Sequence, residues 1–299
     1  MNTTSDSRAQ RALVLGGGGS AGNAWLIGMI AGLGDGGLDV TEADLVIGTS
    51  AGATAAAQIA GASPTDLLAA ILDAPTPQRI EPARPDGRTA SWMNHLERTN
   101  AIIAASADLA DMRRRSGADA IDLAVEAGGS ALVRWRETVA ARLPSREWPK
   151  HPVHLTAVDA VTGDPVVFDR DSGIDLVDAV AASCAGGPAY RIGERWYIDG
   201  GYRRSSENAD LAGGHERVLV LSPLGGRTRH PRSWRTELAV QVDELRVSGS
   251  GVETILPDAD SLAAFGDNMM SLATRAPAAR AGYAQGRHVA GQLAGFWNR

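Results

Sequence analysis

Two glycine turns with the same grammar fall within the first sixty residues, and they constrain the fold more than any other feature of the chain. Residues 12–15 form a short apolar run that breaks into Gly16-Gly17-Gly18-Gly19-Ser20-Ala21-Gly22 and then the apolar, helix-like stretch 24–33. Residues 44–47 break in the same way into Gly48-Thr49-Ser50-Ala51-Gly52, followed by the alanine-rich stretch 53–60. A short apolar run suits a buried strand, and a strand that turns directly into a helix is the repeating unit of an α/β protein. Later segments keep the alternation. Residues 153–158 and 165–168 read as strands joined at Thr162-Gly163-Asp164, with further strands at 195–198 and 218–221 and helices at 174–182, 234–247, 259–273 and 278–297. The pattern predicts a mainly parallel sheet covered on both faces.

At 299 residues the chain can form one large α/β domain with a sizeable core. We expect a flexible tail over residues 1–11 and a single domain over 12–299 with a variable insert around 75–150. Within that insert, Pro75, Pro77, Pro82 and Pro85 prevent a continuous helix or central strand, so residues 74–92 read as a surface excursion. Helical spacing returns at 100–127 and 131–143.

The formal net charge of −6 argues against a protein that holds nucleic acid on a basic face. The run Arg113-Arg114-Arg115 is either a local contact for a phosphate or anionic lipid surface, or a solvated helix face. Cys184 is the one cysteine, which excludes an intrachain disulfide and fits a reducing compartment, with the cytoplasm as the default. The first eleven residues lack the apolar core of a secretory signal, and no run approaches the ~18 apolar residues of a spanning helix. Membrane contact is therefore expected to be peripheral.

Gly48-Thr49-Ser50-Ala51-Gly52 matches a nucleophile elbow, in which a sharp strand-to-helix turn exposes a serine between small residues. The Ala51 N–H and the start of the following helix would stabilise an oxyanion beside Ser50. The first glycine turn has two functional readings. The N–H groups of Gly17, Gly18 and Gly19 suit an oxyanion hole, while the spacing through Gly22 also satisfies a dinucleotide-binding fingerprint. A serine nucleophile needs a base. Of the six histidines, His95, His151, His154, His215, His230 and His288, none has a strand-end setting, whereas Asp199 follows the strand Trp196-Tyr197-Ile198 and precedes Gly200 and Gly201.

In order, the first glycine turn, the Ser50 turn and Asp199-Gly200-Gly201 resemble the patatin-like phospholipase family. The similarity extends to Ala181-Ala182-Ser183-Cys184 and to Ser206-Glu207-Asn208-Ala209-Asp210. The resemblance implies a patatin-like three-layer α/β/α fold and a Ser–Asp dyad without histidine. It implies hydrolysis of acyl esters in phospholipids, lysophospholipids or neutral lipids, with no metal or other cofactor. By position, Ser50 is the expected nucleophile and Asp199 the base. Gly17, Gly18, Gly19 and Ala51 are the expected oxyanion donors, and Gly22, Gly48, Gly52, Gly200 and Gly201 support the motifs. The likeness departs at Ala21, where family members often carry Arg or Lys. Two other enzyme readings stay open at this level: an α/β-hydrolase with a Ser–His–Asp triad, and a nucleotide-binding oxidoreductase with Asp39 or Asp44 as ribose acceptor. A non-catalytic binding protein on the same fold is the third alternative.

Overall fold

The computed structural model describes residues 10–75 and 87–298, the second segment with side chains from residue 95. The first glycine turn joins β1 (Arg11–Leu15) to α1 (Gly19–Asp35), and the second joins β2 (Leu45–Gly48) to α2 (Ala51–Gly61). Four helices follow: α3 (Pro64–Asp73), α4 (Gly87–Ala105), α5 (Leu109–Ala127) and α6 (Gly129–Ala140). The chain then forms β3 (Val153–Asp159), β4 (Pro165–Phe168), α7 (Leu176–Ser183), β5 (Tyr190–Ile192) and β6 (Arg195–Asp199). It ends with β7 (Arg217–Leu221), α8 (Leu238–Val247), β8 (Gly251–Ile255), α9 (Ala259–Phe265) and α10 (Arg275–Trp297).

β1 is central. β2 and then β3 continue the sheet in parallel on one side of it, and β7 and then β8 do so on the other. The winding thus reverses at β1, and in open α/β sheets the carboxyl ends of strands at such a reversal hold ligands. Both glycine turns lie on that edge.

The far side of the sheet is antiparallel, and it positions the end of β6. On β3, β2 pairs with residues 153–155, β4 with 155–158 and β6 with 157–159. Because β4 overlaps both neighbours, it occupies the opposite edge, and β2 and β6 lie end to end along one edge of β3. Gly48 faces Leu155 and Asp199 faces Ala157. The two strand ends are therefore two residues apart along β3, about 7 Å.

Side-chain alternation divides the core into two layers. Leu13 and Leu15 of β1 pack with α1 and α10, while Ala12 and Val14 face the other way with Leu238, Val242 and Leu245 of α8. Leu219 and Leu221 of β7 repeat the first pattern and Val218 and Val220 the second. Both faces are dry, which accounts for the uninterrupted apolar strands. A third cluster joins Ala120 and Ala124 of α5 to Val158, Ala160, Ala189 and Ile198. The result is a three-layer α/β/α fold.

Several boundaries differ from the sequence reading. α3 lies where no helix was expected, although Ser63 caps it by accepting the Asp66 N–H at 3.1 Å and Pro64 opens it. β8 was omitted because Glu253 and Thr254 interrupt its apolar pattern, and β5 has only three residues. The helical stretch at 100–127 is broken between α4 and α5, and α9 stops at Phe265 before Gly266. The proline-rich excursion lies largely outside the described residues, but α4 already starts at Gly87. The expected tail is outside them over residues 1–9, whereas Arg11 belongs to β1, its N–H donated to the Asp44 carboxylate at 2.7 Å. No single described helix is long and apolar enough to cross a membrane.

α1 and α10 approach through glycines. A Cβ at Gly28 would meet the Ala279 carbonyl, and one at Gly282 would meet the Trp25 carbonyl. These obstacles are backbone atoms, so no rotamer change relieves them. Gly282→Ala is expected to destabilise the fold by about 1–3 kcal/mol through overpacking, despite the roughly 1 kcal/mol helix-propensity gain of alanine. Urea unfolding followed by far-UV circular dichroism measures it, and an unchanged or raised midpoint would contradict the close approach.

Candidate active site

Ser50 follows β2 directly, with its backbone at φ 53° and ψ −113°. Such a conformation costs a non-glycine residue on the order of 1–3 kcal/mol and persists only where its surroundings enforce it. Here both polar backbone groups are held. The Ser50 N–H donates to Ser183 Oγ at 3.0 Å, and the Ser50 carbonyl accepts from Cys184 Sγ–H at 3.0 Å and the Thr54 N–H at 3.1 Å. Burial pushes the Cys184 thiol up to about 12, so it acts as a donor rather than a nucleophile. Gly52 lets α2 start against the end of β1, since a Cβ there would strike the Leu15 carbonyl. Gly48 is crowded in the same way by Ala53.

Asp199 ends β6. Its Oδ1 accepts the Gly201 N–H at 2.7 Å, and the Ser50 hydroxyl is close enough to the same carboxylate to stabilise its charge. Desolvation outweighs both and pushes the Asp199 pKa up to about 6. The field of Asp199 adds to burial in raising the neighbouring Tyr202 phenol to about 12.

A buried brace joins the serine turn to the aspartate turn. Asn208 Nδ2 donates to Thr49 Oγ1 at 3.0 Å and to the Gly200 carbonyl at 2.9 Å, and Thr49 Oγ1 lies 2.9 Å from Thr156 Oγ1 of β3. Thr49, Thr156 and Asn208 are fully buried. Gly200 fits only without a side chain, because a Cβ would collide with Thr156. Asn208 itself is left-handed at φ 53°, a region asparagine tolerates better than most residues. Its Oδ1 accepts from Arg203, which pairs with Asp210 at 2.9 Å.

The glycine loop lies beside the serine: a Cβ at Gly17 would be 3.5 Å from Ser50 Cβ. Its donors divide. Gly17 donates to the Ser206 carbonyl at 2.8 Å, so the expectation that it is an oxyanion donor is corrected. Gly18, Gly19 and Ala51 have N–H groups without a hydrogen-bond partner among the described residues. Pro223 packs on Gly18 and Gly22, and the Met269 carbonyl accepts the Ala21 N–H at 2.9 Å. Beneath the loop, the fully buried Glu207 accepts hydroxyl bonds from Ser205, Ser206 and Ser222 at 2.7–2.8 Å.

The other candidates are placed elsewhere. His154 is opposite Ile47 within the sheet, His215 contacts the Ala212 carbonyl, and His230 contacts Thr236, with burial lowering its pKa to about 4. The groups that stabilise the charge of Asp199 are the Ser50 hydroxyl and the Gly201 N–H rather than a histidine. Asp44 precedes β2, at the opposite end of the strand from the glycine turns, and Asp39 accepts from Thr41. Neither suits a ribose beside the loop. Arg114 and Arg115 pair with Asp111, and Arg113 donates to the Arg203 carbonyl, so the arginine run is taken up locally. Among the described residues no three His, Cys, Asp or Glu side chains converge as metal ligands.

A family model described as Patatin-like phospholipase matches residues 13–212, more than half of the chain and all of the braced site. The chain belongs to the patatin-like phospholipase family. It is an enzyme of the esterase/phospholipase class, a lipid hydrolase. No curated protein matches the sequence. Among solved structures, VipD from Legionella pneumophila is 14% identical with a TM-score of 0.41, over 95% of this chain and 67% of that one. The type III effector ExoU is 16% identical with a TM-score of 0.37, over 94% of this chain and 53% of its own. A second ExoU structure, with SpcU from Pseudomonas aeruginosa, gives 19% identity and 0.34, covering 93% and 53%. The chain thus spans about half the length of ExoU.

Within this patatin-like site, sequence reasoning noted Ser183, Cys184 and Asn208 only as part of the likeness and did not single out Thr156. A threonine interrupting the apolar strand Val153–Asp159 is the signal that was available. Asn208→Ala would remove the buried donor that ties Thr49 to the Gly200 carbonyl and leave that carbonyl with the Arg203 N–H alone, so it is expected to cost about 1–3 kcal/mol in denaturant unfolding. Esterase kcat should fall with it. Asn208→Asp should not restore either, because a carboxylate cannot donate to Gly200.

Proposed function

We propose that the protein hydrolyses carboxylic esters of lipids through a dyad of Ser50 and Asp199. The observation that carries this reading is the Ser50 hydroxyl set beside a desolvated carboxylate whose charge it stabilises and whose pKa is pushed up to about 6. A carboxylate near its ordinary value is a weak base at neutral pH, and the shift brings it closer to the working range.

Ser50 Oγ attacks the ester carbonyl as Asp199 takes its proton. The N–H groups of Gly18, Gly19 and Ala51 receive the tetrahedral oxyanion, supported by the positive ends of α1 and α2. Protonated Asp199 delivers the proton to the leaving alcohol, and an acyl-Ser50 ester remains. Water, deprotonated by Asp199, then attacks the acyl group, and the proton returns to Ser50 Oγ as the acid leaves. These steps require no metal or cofactor. The substrate partner is a lipid or other ester met by peripheral membrane contact, and the residues from 12 onward act as one domain.

Ser50→Ala is expected to abolish both p-nitrophenyl ester turnover and fluorophosphonate labelling. Retention of either in a folded variant would refute the nucleophile assignment.

The base must be ionised, so kcat/KM should fall about tenfold per pH unit below an apparent pKa near 6 and level off above it. Stability changes in the opposite sense. The raised folded pKa means that the folded state binds the proton more tightly, so this group's contribution is complete below about pH 4 and is lost as pH rises through about 6. Asp199→Asn should therefore lose activity while matching or exceeding the wild-type melting temperature at pH 7.5. Near-wild-type turnover by Asp199→Asn would exclude the dyad.

A further inference from the structure

A carboxylate that takes no part in the proposed chemistry is buried against the glycine loop. Glu207 is fully enclosed, and a Cβ on Gly16 would lie 3.5 Å from its Cγ. Its charge is met by hydroxyls rather than by an arginine or lysine among the described residues. Ser205 Oγ donates to Oε2 at 2.8 Å, while Ser206 Oγ and Ser222 Oγ both donate to Oε1 at 2.7 Å. Burying a carboxylate is costly unless its oxygens are well hydrogen-bonded. A negative charge beneath a loop that receives an oxyanion also opposes the reaction, so the contribution of Glu207 lies in what it holds rather than in its field.

The two hydroxyls on Oε1 belong to the segments that fix the loop. The Ser206 carbonyl accepts the Gly17 N–H at 2.8 Å. Ser222 stands between Leu221, whose carbonyl accepts the Gly16 N–H at 3.0 Å, and Pro223, which packs on Gly18 and Gly22. One oxygen thus joins the segment that holds Gly17 to the segment that holds Gly16 and Gly18. A carboxylate only accepts, so each hydroxyl points its proton at Glu207 and keeps its lone pairs for other donors. Ser222 Oγ accepts the Gly226 N–H at 2.8 Å. Ser205 Oγ accepts the N–H groups of Glu207 and Asn208 at 3.1 and 3.2 Å and Gln241 Nε2 at 2.9 Å. Glutamine could not replace the carboxylate. Its NH2 would face either the already saturated Ser205 oxygen or the two hydroxyls that share Oε1.

We propose that Glu207 is a positioning residue for the oxyanion hole: by holding Ser206 and Ser222 on one oxygen, it sets the Gly18 and Gly19 N–H groups where the oxyanion forms. The proposal rests on the hydrolase reading of Ser50, and its test separates the two. Donors aimed at the oxyanion act on the transition state rather than on the bound ester, so their displacement lowers kcat and leaves KM in place. Glu207→Gln is expected to lower kcat on p-nitrophenyl butyrate about tenfold to hundredfold, below the roughly 10²–10³ that follows outright deletion of a donor. KM should change less than about twofold. An alkyl trifluoromethyl ketone reads the same geometry without turnover. Ser50 Oγ adds to its carbonyl carbon, the hydroxyl proton passes to the base, and the carbonyl oxygen becomes the anion that the loop receives. Its inhibition constant should rise by the factor by which kcat falls.

A lowered melting temperature with kcat per folded molecule and ketone affinity unchanged would overturn the proposal and leave Glu207 a purely structural role. A raised KM with unchanged kcat would overturn it as well. Should Glu207→Gln fail to fold, Ser206→Ala and Ser222→Ala each remove one bond to Oε1. Each is expected to lower kcat about threefold to tenfold, with ketone affinity falling in parallel. Unchanged kcat in both would overturn the positioning role. Fluorophosphonate labelling of Ser50 in the wild-type chain tests the hydrolase reading separately. Its absence removes that reading and the proposal with it, whereas labelling together with an unaffected Glu207→Gln overturns the proposal alone.

Discussion

The unfavourable backbone of Ser50 is the constraint around which the remainder of the site is arranged. A serine at φ 53° and ψ −113° cannot be held by its own turn. The neighbouring segments supply what the turn lacks. α7 ends with Ser183 and is followed by Cys184, which together occupy the N–H and carbonyl of Ser50. The same conformation turns the chain sharply enough for α2 to begin at Ala51. One strained residue thus exposes the hydroxyl and leaves the Ala51 N–H free beside it.

A serine fixed this way needs its carboxylate at an equally fixed distance, and the sheet provides the spacing. β2 and β6 meet end to end along β3, and Asn208 bonds across the join to Thr49 on one side and Gly200 on the other. Enclosure of Asp199 follows from this closeness. The Gly201 N–H and the Ser50 hydroxyl favour its ionised form, yet loss of water outweighs them. The same enclosure that destabilises the charge makes the carboxylate a stronger base.

Legibility in the sequence follows the range of the interactions. The two glycine turns and Asp199-Gly200-Gly201 are local patterns, because a strand, a tight turn and a helix start occupy consecutive residues. The alternation of strands and helices likewise revealed the layers. The brace was not legible, since Thr49, Thr156 and Asn208 are joined only by the pairing of β3 with two strands on one edge. The loss of Gly17 as a donor has the same origin, because its N–H is taken by Ser206, nearly two hundred residues away. β8 illustrates a different limit: a sheet-edge strand carries polar residues and so lacks the continuous apolar run by which buried strands are recognised.

The glycine loop shows how the site divides between shared and individual parts. The segment matched by the family, 13–212, contains Ser50, Asp199, the free donors and the brace. The outer side of the loop is made by residues beyond it. Pro223 packs on Gly18 and Gly22, Met269 accepts from Ala21, Met270 lies against Gly19, and Arg275 reaches Ser20. These residues come from the turn after β7 and from the stretch between α9 and α10, and they border the loop without belonging to the dyad. On the proposed reading, substitutions there would alter the surroundings of the ester while leaving Ser50 and Asp199 in place. The glycine loop is thus built from two parts of the chain, its inner side from the matched segment and its outer side from the C-terminal third.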